Sequence, residues 1–427
     1  MKKIFLSGLL LATTFFVFGQ NIDEIINAKE VERIEKVLSA DDMRGRRAFT
    51  PDIDRAADFI SGEFKKIGLQ TWNNSGSYRQ EFSMVRSQVI SASAVLDGVV
   101  LDPKNIAINS SQTDLKVNES SGYEMATIKP GGNFFREAFG FLQSGKNIVV
   151  LVDSSYASNF SRLLSGRRAA FKTDKSVIFL LTNTVPKNFS VEAKLEITEQ
   201  KLANIVGVLP GKSKKNEYVI FSGHYDHLGV GKPVNGDSIY NGANDDAAGT
   251  TAVIMLAKYF KQLNNNERTI VFAAFTAEEV GEFGSQYFSK QFDPDKVMAM
   301  FNIEMIGTES KWGKNSAYIT GYDKTDMGAM LQKNLEGTGF TFYPDPYSTQ
   351  NLFYRSDNAS LARLGVPAHT ISTSKMDNEP NYHKVTDEIG TLDMDNMAMI
   401  IKSIALSSRG IVAGKETPSR VKVEDLR

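Results

Sequence analysis

The 427-residue chain contains no cysteine. Disulfide bridges, thiolate nucleophiles and Cys-ligated zinc are excluded, and so is lipid attachment at a leader cleavage point, which needs a cysteine there. Charge of one sign is equally missing. With 49 basic against 50 acidic side chains the formal net charge is -1, so no global field draws the chain to nucleic acid or to an anionic membrane. A single long apolar run, Ile4 to Phe18, follows Lys2 and Lys3 and gives way at Gly19 and Gln20 to a polar stretch. That pattern is a secretory leader, residues 1–19, too short to serve comfortably as an anchor. No later run reaches spanning length, so no membrane anchor is expected after leader cleavage, and the protein is expected in the periplasm or outside the cell. Histidine is scarce, with four in the chain.

The length exceeds that of one ordinary core. Residues 20–90 carry two expected helices, 24–39 and 54–67; in the second, Ile53, Ala57, Ile60, Phe64 and Ile67 share a face and Gly68 supplies the left-handed stop. From 91 to 190 short β-rich runs such as 148–152 and 177–181 alternate with Ser, Asn and Gly, as expected of an inserted domain. Residues 191–415 alternate strand and helix signals: strands at 218–221, 269–275 and 298–303, and a helix over 246–263. This alternation predicts an α/β fold with a mixed, largely parallel central sheet flanked by helices. The polar residues 416–427 read as a loose tail.

Two of the histidines stand in short motifs, His224-Tyr225-Asp226 and Tyr382-His383, that bracket the pair Glu278-Glu279. With Asp245 and Glu304 they read as a two-metal hydrolase site. Imidazole and carboxylate suit Zn²⁺, a shared carboxylate can hold two cations close together, and a spare Glu can deprotonate water. Ligands in open α/β sheets gather outside the carboxyl ends of strands, and His224, Glu278-Glu279 and Glu304 each follow such an end. Adjacent carboxylates repel unless a cation holds them, so one Glu is read as ligand and its neighbour as general base. Asp226, two residues from His224, is placed to orient the imidazole. Asp246 competes with Asp245 for the bridge, although its place at a helix start suits an N-cap. His227 and His369 are read as structural or pocket-lining.

The sequence resembles metallopeptidase family 28, co-catalytic zinc exopeptidases that include secreted aminopeptidases. The motifs that carry the resemblance are Gly223-His224-Tyr225-Asp226-His227, Gly242-Ala243-Asn244-Asp245, Ala277 to Ser285, Asn302-Ile303-Glu304-Met305-Ile306-Gly307 and Tyr382-His383. The segment 46–69 is similar to the family's opening helix, and 91–190 sits where members often carry a protease-associated insert. The resemblance implies two zinc ions, with Asp245 bridging, His224 and Glu304 on one ion, Glu279 and His383 on the other, Glu278 as general base and Asp226 supporting His224. Glu304 departs from the Asp found in many relatives. Tyr354, Ser356 and Asp357 resemble a segment near the substrate cleft. Peptides are then the expected partners, cleaved at the N-terminal residue by metal-activated water. Carboxypeptidase or dipeptidase activity on the same metals, a single-zinc glutaminyl cyclase and a non-catalytic receptor-like domain are the competing readings.

Overall fold

The computed structural model describes residues 22–164 and 169–426; the expected leader, 1–19, lies outside them. The chain forms two compact units, one taking in the sequence as far as Gln80 and again from Ala203, the other formed by Glu81–Leu202. The segment 91–190 falls inside the second unit, which is wider on both sides because the chain crosses its limits within the strands Arg79–Leu96 and Phe189–Leu209. Among the described residues no helix is long and apolar enough to cross a membrane.

The first unit is built on a mixed sheet. Its strands run, in spatial order, Thr341–Pro344, Ser316–Ile319, Ala368–Ser372, Val297–Ile303, Lys214–His224, Arg268–Phe275 and the end of Phe189–Leu209. The strand ending at His224 is parallel to both neighbours, and Val297–Ile303 is parallel to Ala368–Ser372. Residues 205–209 pair antiparallel with Arg268–Phe275. From the strand ending at His224 the chain moves to one side for Arg268–Phe275 and then to the other for Val297–Ile303. That reversal of winding opens a crevice at the carboxyl ends of the strands.

Both faces of these strands are covered, which is why they read as continuous apolar runs rather than alternating ones. Phe221 points to one face and stacks on Phe260 of the helix Ala248–Leu263, and on Phe272 and Phe301. Ile220 points to the other, in a cluster with Phe288, Leu361 and Ala362. Two expected helices shift at their starts. The first divides into Ile22–Ile25 and Ala28–Leu38, because the Asn27 side chain accepts the Glu30 N–H and caps a new helix there. The other begins at Ala248, since Asp245 and Asp246 hold non-helical backbone angles. The helix Asp52–Ile67 ends on Gly68 at φ 80°.

The expected loose tail is instead fastened down. The buried guanidinium of Arg268 donates to the carbonyls of Ile411 and Glu416 and to the Thr417 hydroxyl, Val421 N–H bonds Gly365 O, and Arg420 bonds Val297 O. Polar sequence there marks hydrogen-bonding to the body rather than freedom from it.

In the second unit a four-stranded sheet runs Ile106–Asn109, Val177–Leu181, Ile148–Val152, Glu124–Ile128. Phe134, Ala138 and Phe160 from flanking helices pack against one side; Leu115, Val191 and Leu195 lie in the cluster with Val149 and Leu151 on the other. No candidate ligand belongs to this unit.

Candidate metal centre

His224 is the last residue of its strand, Glu304 directly follows Ile303, and Glu278-Glu279 follow Phe275 after a short turn. His383 stands on the loop beyond Ala368–Ser372. These strand ends bring the expected residues together around Asp245. Its Oδ1 lies 3.2 Å from His224 Nε2 and its Oδ2 3.3 Å from His383 Nε2, so the two oxygens of one carboxylate face two different imidazoles. Glu279 continues the chain of contacts, Oε2 lying 3.2 Å from His383 Nε2 and Oε1 2.6 Å from His227 Nδ1. Glu278 Oε2 is 4.0 Å from His224 Nε2.

Asp246 is occupied elsewhere. Its Oδ2 accepts the His224 N–H, and its Oδ1 accepts the N–H groups of Gly249 and Met305. With its oxygens spent on the backbone of two ligand-bearing segments, it holds those segments in place rather than facing the histidines. Asp226 differs from expectation in detail. The His224 Nδ1 contacts the Asp226 carbonyl at 3.1 Å, while the Asp226 carboxylate stands 3.8 Å away and accepts the Glu278 N–H at 3.1 Å. A hydrogen on Nδ1 leaves the Nε2 lone pair directed into the site, and the Asp226 carboxylate ties the end of the His224 strand to the glutamate pair.

Ser356 and Asp357, expected near a substrate cleft, are buried. Asn302 donates to the Ser356 hydroxyl at 2.7 Å, so this segment braces the strand that carries Glu304. Neither oxygen of Asp357 has a hydrogen-bond partner. Tyr354 packs at the edge of the core cluster against Phe353. His369 is structural: Nδ1 contacts Thr320 O at 2.8 Å and Nε2 contacts the Thr325 hydroxyl at 2.7 Å. Burial lowers its pKa to about 4, which keeps it neutral.

The electrostatics show what the site favours. Burial raises Glu278 well above the usual carboxylate range, and the charges of Glu304, Asp357 and Glu279 push the same way. Burial likewise lifts Glu304 to about 7. Burial alone would lower His383 and His224, yet the carboxylates outweigh it: Asp245 and Glu279 raise His383 to about 10, and Glu278, Asp245 and Asp246 raise His224. So much negative charge converging in a dry place draws protons onto the imidazoles, and cations satisfy the same demand.

The donor set fits metal ions. The buried atoms His224 Nε2, His227 Nε2 and Glu304 Oε2 make no hydrogen bond, a costly arrangement unless something else binds them. Two groups of three ligand atoms, each within 4.8 Å of one another, meet at Asp245: His224, Asp245, Glu304 and His227, Asp245, Glu279. His227, read from the sequence as structural or pocket-lining, falls in the second group with its Nδ1 held by Glu279.

Residues 204–407 match Peptidase family M28. That part of the chain belongs to this family. Among similar sequences, leucine aminopeptidase 1 of Ajellomyces capsulatus is 25% identical over 262 residues, 57% of this chain and 64% of that protein. A probable zinc metalloprotease of Pyrenophora tritici-repentis is 33% identical over 108 residues, 25% of this chain and 24% of that protein. The chain therefore spans just under two thirds of the first relative and about a quarter of the second. The fold is similar to that of an aminopeptidase from Aneurinibacillus sp. strain AM-1, with TM-score 0.54 and 16% identity over 95% of this chain and 98% of that one. It is equally similar to a zinc aminopeptidase from Bacillus subtilis, with TM-score 0.54 and 18% identity over 94% and 97%.

Arg46 and Asp387 are buried beside the candidate centre and were not singled out from the sequence. Asp387, four residues beyond His383, had a local signal in that spacing; Arg46, far away in sequence, had none.

Proposed function

We propose that this protein is an exported aminopeptidase that removes N-terminal residues from peptides with the help of two zinc ions. The observation that carries the reading is Asp245, whose two oxygens face His224 and His383 separately, as a carboxylate shared between two cations must. His224 and Glu304 would hold one ion, Glu279 and His383 the other. Zinc bound there supplies Lewis acidity, which polarises a peptide carbonyl and makes water a stronger acid. The choice of zinc is supported by the names of the fungal metalloprotease and the Bacillus subtilis enzyme; the choice of aminopeptidase by the fungal leucine aminopeptidase. Export rests on the pattern of residues 1–19.

Glu278 is the general base in this reading. It neighbours Glu279 but does not share its contacts with His227 and His383, and burial raises its proton affinity. A carboxylate so placed can take a proton from the attacking water and return it to the leaving amine. His383 is 37% exposed while His224 and Asp245 are buried, so the substrate enters from the His383 side.

The test is a peptide panel on zinc-reconstituted protein of measured metal content. Two zinc ions per chain are expected, with hydrolysis of free-amine peptides, survival of activity on C-terminal amides and its loss on N-acetylated peptides. Acceptance of blocked amines with refusal of C-terminal amides would make the enzyme a carboxypeptidase instead. Conversion of N-terminal Gln to pyroglutamate on an otherwise intact peptide, with release of ammonia and one zinc per chain, would make it a glutaminyl cyclase.

A further inference from the structure

Arg46 is fully buried, yet among the described residues its guanidinium makes no ion pair and bonds only backbone carbonyls. Nε donates to Tyr225 O at 2.8 Å, Nη1 to Leu38 O and Asn241 O at 2.6 Å each, and Nη2 to Gly242 O at 2.9 Å. Tyr225 stands between His224 and Asp226, and Asn241-Gly242 lead into the turn that carries Asp245. Asp387 grips the amides of that turn where Arg46 grips carbonyls. Its Oδ1 accepts the Asn244 N–H at 2.8 Å, its Oδ2 accepts the Asp245 N–H at 3.0 Å, and its carbonyl accepts the Ala243 N–H at 3.1 Å. The turn is tight as well: Gly242 has φ 57°, and a Cβ there would meet the Asp245 carbonyl and the His227 ring.

We propose that Arg46 and Asp387 are paired positioning residues that clamp the Asp245 turn, one by its carbonyls and the other by its amides, so that binding of both ions depends on each. Neither touches an ion in this reading. Arg46 links the turn to the segment bearing His224, and Asp387 links it to the loop bearing His383, so the clamp joins the two halves of the centre through Asp245. Arg46 lies outside residues 204–407, which makes the N-terminal segment part of the metal-binding apparatus. Guanidinium suits this place because its fixed fork offers five donors, enough for four carbonyls. Lysine has three donors on one atom and cannot span them. Asparagine at 387 would turn one acceptor into a donor facing an N–H.

The proposal rests on the two-ion reading, and the experiment separates the two. Metal-stripped wild type, Arg46→Lys, Asp387→Asn and Asp387→Glu are titrated with zinc against a competing chelator and with cobalt(II) followed by its visible absorption. Their melting curves are recorded without metal. Arg46→Lys and Asp387→Asn should each bind both ions at least tenfold more weakly and show an altered cobalt spectrum, while melting cooperatively. Asp387→Glu, which keeps two acceptors, should recover part of the affinity. The double variant should lose less than the product of the single losses, because both residues act on one turn. Lower melting temperatures with wild-type zinc affinity and an unchanged cobalt spectrum would overturn the clamp. A wild type that binds fewer than two ions would overturn the two-ion reading, and the same variants would then judge the clamp on the ion that remains.

Discussion

Glu278 and Glu279 are identical neighbours in sequence, and what separates them is what each faces. Glu279 is held through Oε1 by His227 and through Oε2 by His383; Glu278 is anchored through its backbone, its N–H donating to Asp226 and its carbonyl accepting from Gly281 and Glu282, while its Oε2 stands 4.0 Å from His224 Nε2. Glu278→Gln should keep fold and zinc content while lowering turnover by about 10²–10⁴-fold, the usual worth of a positioned acid–base group. Glu279→Gln should lose zinc. Metal analysis beside turnover checks both, and equal metal loss in the two variants would reverse the assignment. Glu35 gives a separate, pH-dependent test. It is fully buried, with one oxygen bonded to the Thr251 hydroxyl and the other unpartnered, and burial raises its pKa to about 8 from an ordinary 4.5. A carboxyl that binds its proton more tightly in the fold stabilises the fold below its unfolded pKa, and that stabilisation is lost as pH rises toward 8. Glu35→Gln, which stays neutral, should match wild type at pH 5 and melt at a higher temperature at pH 9. A constant difference across that range would show that Glu35 does not titrate with folding.

Two glycines at helix ends distinguish backbone strain from close packing. Gly68 ends Asp52–Ile67 in the left-handed region, and a Cβ there would meet only the end of the Lys261 side chain at 3.7 Å. Gly68→Ala should therefore cost about 1–2 kcal/mol for the left-handed alanine, with zinc content unchanged. Gly249, the second residue of Ala248–Leu263, lies against the carbonyl of Ile303, the residue before Glu304, and a Cβ there would run into that carbonyl and into the Asp246 carboxylate. Gly249→Ala should push the helix from the strand, lower stability further and weaken zinc binding. Chemical denaturation with metal analysis checks the pair. Strand positions were legible in the sequence because apolar runs such as 269–275 are bounded by polar turns. The start of the helix at Ala248 was not, since the contacts of Asp246 with His224 and Met305 decide it and come from distant parts of the chain.

At the scale of the molecule, all the candidate ligands belong to one unit, and that unit joins the two ends left by the other. Val206 N–H bonds Tyr78 O at 2.8 Å, and Asn204 bonds the Gln80 side chain at 3.0 Å. Replacing residues 81–202 with a short flexible linker should therefore leave a folded protein that binds the same number of zinc ions, because closing a short loop between adjacent ends costs little. Zinc stoichiometry and a cooperative melt are the measurements. Loss of both would mean that the first unit depends on the second for its fold.

The sequence by itself determined the alternation of strands and helices and the residue types of the candidate centre, because His224, Glu279 and Glu304 follow strand ends whose apolar runs are local, and Asp245 and His383 stand in short motifs of their own. It also supplied the candidates among which roles had to be divided. Tertiary structure alone decided how Asp245 and Asp246, or Glu278 and Glu279, differ, since neighbours in sequence are told apart by partners 22 to 142 residues away. It brought Arg46 and Asp387 to one turn, fastened Glu416 and Thr417 to Arg268, and turned the Asp226 carboxylate toward Glu278. In each case the physical reason is the same: a buried polar group must find a partner, and which partner lies within reach depends on the packing of the whole chain.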